Sequence, residues 1–105
     1  MNDMEWNAYS NPEIVRILGQ RYRDYRLRVG LTQKEVADKT NVSVTTIHKF
    51  ESGSSTDVSF GTLASLLRVI GLIDNVDALL PELFQSPYFV NEKNEKKQRV
   101  RHKKP

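Results

Sequence analysis

Cysteine is absent from the 105 residues, which excludes disulfides and thiolate metal sites. Histidine is scarce: His48 and His102 lie far apart, so a structural zinc site is not expected. No apolar run approaches the roughly 20 residues of a membrane span. The opening MNDMEWNAYS has neither the basic nor the apolar region of a signal peptide, so a cytoplasmic protein is expected. Also missing is a catalytic constellation. Neither histidine has a nucleophile or carboxylate arranged around it, and no glycine-rich loop is present to cradle a phosphate. An enzyme, a cofactor and a bound metal are therefore not expected. The length leaves room for one domain and little else.

The net charge of +3 conceals a split. Residues 91–105 hold seven Lys and Arg against two acids, while the preceding 90 residues hold nine basic and eleven acidic groups. The body is thus slightly acidic, and any attraction to phosphate there must come from where a few cations sit. The tail carries +5, a charge run that stays solvated alone or adds salt-sensitive affinity for a polyanion. The cluster Tyr88, Phe89, Val90 just before it also suits strand addition to a partner's sheet edge.

Between these features, residues 31–53 read LTQKEVADKTNVSVTTIHKFESG. Thr32 and Glu35 have the T-x-x-E spacing of a capping box, flanked by Leu31 and Val36 as a hydrophobic staple. A helix from Gln33 to about Lys39 follows, and Asn41 tolerates the left-handed backbone that lets the chain turn. Ser43 caps the next helix, with Val42 and Ile47 as its staple. On a wheel of about 100° per residue, Ile47 and Phe50 fall on one side. Thr45, His48, Lys49 and Ser52 fall on the other, with Val44 at the edge. That outward face has no acid. Its short donors, acceptors, methyl groups and single cation suit base edges in a major groove with phosphate close by.

Elsewhere, residues 1–10 form an arm with Trp6 and Tyr9 but no helical period. Asn11 is expected to cap a helix with Pro12 at its first position. Leu18, Tyr22, Tyr25 and Val29 form that helix's expected core face, and Gly30 its stop. Ser59 caps a further helix, with Phe60, Leu63, Leu67 and Ile70 inward. A short last helix, capped by Asp74, is expected through Val76, Leu79 and Leu80 to Pro81. Leu66 and Val69 lie off the inward stripe. With Val76, Leu79 and Leu80 they are the candidates for a dimer seam. The expectation is an all-α, compact five-helix domain over residues 11–81, an arm before it and an extended basic tail over 82–105.

The stretch resembles the helix-turn-helix of the Cro and phage-repressor family: the LTQ opening, Ala37, Val36, Val42, Ile47 and Phe50 inside, and the closing FESG. Asn41 stands where that family usually has glycine. The resemblance implies a homodimer on an inverted-repeat DNA operator. It places Gln33 at the family's phosphate-contacting glutamine, and Thr45 and Lys49 at base-reading positions. Val44, Thr45, His48 and Lys49 are accordingly assigned to bases, and Gln33, Ser43, Thr46 and Ser52 to phosphates. It also implies a pair between Arg26 and Glu51, which the wheel sets beside Ile47 at the core boundary.

A longer resemblance spans residues 18–104: FESG, LRVIGLID, DALLPE, Ser86-Pro87 and the basic QRVRHKK. These are similar to a subgroup of HipB-like antitoxins paired with HipA-type kinases. That likeness implies an antitoxin that neutralises a Ser/Thr kinase toxin and represses its own operon. A stand-alone phage-like repressor and a protein-interaction adaptor are the alternatives.

Overall fold

The computed structural model describes residues 5–83. The readings made on residues 84–105, including Ser86-Pro87, the Tyr88 to Val90 cluster and the basic tail, lie outside the described residues. All regular structure among the described residues is helical: a 3-10 turn at Trp6–Ala8, α1 at Asn11–Arg28, α2 at Gln33–Thr40, α3 at Val44–Ser52, α4 at Phe60–Val69 and a 3-10 helix at Ile73–Ala78. The chain divides after Ile73 into two units.

In the first unit each α-helix begins at a side chain that accepts an amide of the first turn. Ser10, Thr32, Ser43 and Ser59 accept from Glu13, Glu35, Thr46 and Thr62. The α1 cap corrects an expectation, since Ser10 rather than Asn11 caps it. Ser10 and Glu13 bond reciprocally at 2.8 and 3.2 Å, a capping box that Asn11 cannot complete because no Glu or Gln stands three residues after it.

The core is Tyr22, Val36, Ile47, Phe50, Leu66 and Ile70, with Val15, Leu31, Ala37, Val42, Val58, Leu63, Leu67, Val69 and Leu72 packed against it. Burying Val36, Ile47 and Leu66 completely stabilises the fold by about 1.5–3 kcal/mol each.

Two helices face the core differently from the expectation. On α1 the buried residues are Gly19, Tyr22 and Arg26, whereas Leu18, Tyr25 and Val29 are exposed. Counting only apolar side chains misses this face, because it is made in part by a glycine and a paired cation. A Cβ at Gly19 would lie 2.0 Å from the Phe50 carbonyl oxygen, so the glycine is what lets α1 and α3 approach. On α4, Phe60 is 58% exposed and Leu66 fully buried. Leu66 is therefore core, not a surface for a second chain. Its backbone carbonyl also accepts from Tyr22 Oη at 2.9 Å.

The residues before α1 are anchored as well. The Arg21 guanidinium sits 5.4 Å from the Trp6 ring centroid, and Trp6 and Tyr9 are in tilted contact at 6.0 Å.

In the second unit the expected last helix is present as 3-10 structure that ends at Ala78. Asp74 lies in its first turn and is not its cap. Leu79 donates its amide to the Val76 carbonyl at 3.0 Å. Leu79 and Leu80 are exposed, Leu80 to 89%, and Val76 is half-buried.

Candidate nucleic-acid interface

The site begins with the turn between α2 and α3. Asn41 adopts φ 65°, ψ 15°, the left-handed conformation, and its amide bonds to the Ala37 carbonyl. Thr40 supports the same turn: its hydroxyl donates to the Val36 carbonyl at 2.8 Å and accepts the Val42 amide at 3.1 Å. Ser43 then starts α3, and Gly53, at φ 76°, ends it.

The buried residues of α3 are Ile47, Phe50 and Glu51. With 3.6 residues per turn, that inward side leaves Val44, Thr45, His48, Lys49 and Ser52 outward, and all five are exposed. No acid stands among them. Val44 keeps 41% of its surface, enough to offer a methyl group to a thymine.

Glu51 is held from two other helices. Its Oε2 accepts from Arg26 Nε at 2.7 Å, and its Oε1 accepts from Arg26 Nη2 at 2.8 Å and from Gln33 Nε2 at 3.0 Å. Arg26 Nη1 also donates to the Leu31 carbonyl at 2.8 Å, just before α2. The pair is nearly dry, with side-chain exposures of 7% and 2%. Its hydrogen bond to Glu51 holds the Arg26 guanidinium above its usual pKa against the opposing pull of burial. Thus α1, α2 and α3 meet in one charge-assisted network that sets the orientation of the outward face.

The residues assigned to phosphate differ in what they have to offer. Gln33 is already engaged through its amide nitrogen. Ser43 Oγ accepts the Thr46 amide at 3.0 Å and donates to Thr46 Oγ1 at 2.9 Å. Ser52 Oγ lies 3.1 Å from Ser54 Oγ. The glutamine's bond to Glu51 was not visible in the sequence, because residues 18 positions apart on different helices share no local pattern. An open cleft of about 200 Å³ beside α3 was not visible either; Thr46, Lys49, Phe50, Ser55, Asp57 and Val58 line it. Among the described residues no group of three His, Asp or Glu side chains is placed to hold a metal ion. No helix there is long and apolar enough to cross a membrane.

A family model described as a helix-turn-helix domain matches residues 17–83, most of the chain. The chain belongs to that family. Comparison with curated proteins gives no match. Within the helix-turn-helix domain, α2 and α3 are the paired helices, and in such domains the second helix of the pair is the one that enters a groove. Membership makes the chain a DNA-binding regulator.

Proposed function

We propose that this helix-turn-helix domain is a sequence-specific transcriptional repressor that acts as a homodimer in the cytoplasm. It sets two α3 helices into successive major-groove faces of an inverted repeat, ~34 Å apart. The observation that carries this reading is the acid-free outward face of α3, fixed from behind by Arg26, Glu51 and Gln33. Val44, Thr45, His48 and Lys49 read base edges. Gln33, Ser43, Thr46 and Ser52 lie against the backbone and set register. The dimer seam rests on the exposed Leu79 and Leu80 with Val76.

Selection from a random duplex library supplies the operator, and anisotropy titrations against operator and unrelated DNA then give the discrimination. Replacing Thr45 or Lys49 by alanine lowers that discrimination by ~1–3 kcal/mol. Equal preference in wild type and both variants would place the reading face elsewhere.

The resemblance over residues 18–104 supports a more specific role, the antitoxin of a HipA-type Ser/Thr kinase that also serves as co-repressor. Co-expression with a kinase-fold protein encoded beside it yields a stable complex on this reading. A neighbourhood without such a kinase favours the stand-alone repressor.

A further inference from the structure

The Arg26–Glu51 pair carries one hydrogen bond more than a clamp between α1 and α3 requires. Glu51 Oε1, already bonded to Arg26 Nη2, also accepts from Gln33 Nε2 at 3.0 Å. Gln33 is the first residue of α2 and half-buried. The terminal torsion of a glutamine is soft and roughly two-fold, so its amide nitrogen and oxygen exchange places at little cost in isolation. Beside a buried carboxylate they do not. A flipped amide would turn its carbonyl oxygen towards the Glu51 anion and leave Oε1 one donor short.

A primary amide nitrogen carries two N–H groups. Glu51 takes one, and among the described residues no acceptor takes the second. We infer that Glu51 is a positioning residue for the DNA backbone: its buried carboxylate selects the amide orientation of Gln33 whose remaining N–H meets a phosphate oxygen. Arg26 in turn fixes that carboxylate. This rests on the DNA-binding reading, and the two fail separately: wild type that binds no duplex defeats both, whereas duplex binding without coupling between Glu51 and Gln33 defeats only this one.

The test uses the full chain and a short fluorescein-labelled duplex of unrelated sequence, because phosphate contacts are largely independent of sequence. Affinities are measured for wild type, Gln33→Leu, Glu51→Gln and the double variant. Gln33→Leu leaves Arg26 and Glu51 bonded and weakens binding about three- to tenfold, the size of one hydrogen bond. Glu51→Gln weakens binding in the wild-type background and adds little once residue 33 is leucine. Independent losses that multiply, or an unchanged affinity for Gln33→Leu, overturn the inference.

Should Glu51→Gln fail to fold, the side-chain amide signals of wild type decide. One Gln33 proton is then shifted downfield and exchanges more slowly than those of the exposed Gln20. A Gln33 pair indistinguishable from that of Gln20 overturns it.

Discussion

Arg26 and Glu51 are both 6% exposed, a situation in which removing one partner costs more than the pair contributes. Arg26→Ala strands a carboxylate in the interior with Gln33 as its remaining side-chain donor. A loss of about 3 kcal/mol is expected, visible in urea or thermal unfolding; an unchanged melt would mean that water replaces the guanidinium. Tyr22, between this pair and Leu66, responds to alkali. Burial, with the Glu51 charge adding to it and Arg26 opposing, pushes its phenol up to about 12 from 10.0. Below pH 10 folded and unfolded chains both keep that proton. Between 10 and 12 only the unfolded chain releases it, so stability falls as pH rises, by up to roughly 2–3 kcal/mol. Tyr22→Phe gives up the bond to the Leu66 carbonyl and is less stable at neutral pH, but its stability curve lacks that alkaline step.

At the scale of elements, helix starts were legible because each is a local matter of three or four residues. The capping box at Thr32 and the caps at Ser43 and Ser59 are where their spacing puts them. The α1 start was misplaced by one residue, and substitution separates the two candidates. Ser10→Ala removes both reciprocal bonds and costs about 1 kcal/mol, whereas Asn11→Ala is nearly neutral; calorimetric melts of the two variants compare them directly. Which side of a helix turns inward was less legible. Of the α1 stripe through Leu18, Tyr22, Tyr25 and Val29 only Tyr22 is buried, and the stripe omits Gly19, a residue with no side chain to count, which is buried because the Phe50 backbone comes so close. The same limit affects α4, where Phe60 and Leu66 are equally apolar and only the neighbours of each separate surface from core. Within the candidate site, the outward set on α3 followed from periodicity alone, whereas the bond from Gln33 to Glu51 needed two helices in place.

For the molecule as a whole the charge split is the dominant feature. Seven cations of sixteen lie in residues 91–105, later in the sequence than α2 and α3. Deleting those residues should leave operator discrimination intact, since none of the residues proposed to read base edges is lost. Affinity for any duplex should fall less steeply with salt, because fewer counterions are released per protein bound. Titrations from low to moderate ionic strength check this, and a loss of discrimination would mean that the tail reads sequence.

The sequence by itself determined where the helices of residues 31–53 begin and turn, which face of α3 carries no acid, and how charge divides between body and tail. These depend on spacing, caps and composition, which act within a few residues. Only the tertiary structure decided that Leu66 is core and Phe60 is surface, that Gly19 sets the approach of α1 to α3, and that Gln33 shares Glu51 with Arg26. Those outcomes depend on which distant residues meet, and it is the packing of one helix on another that brings them together.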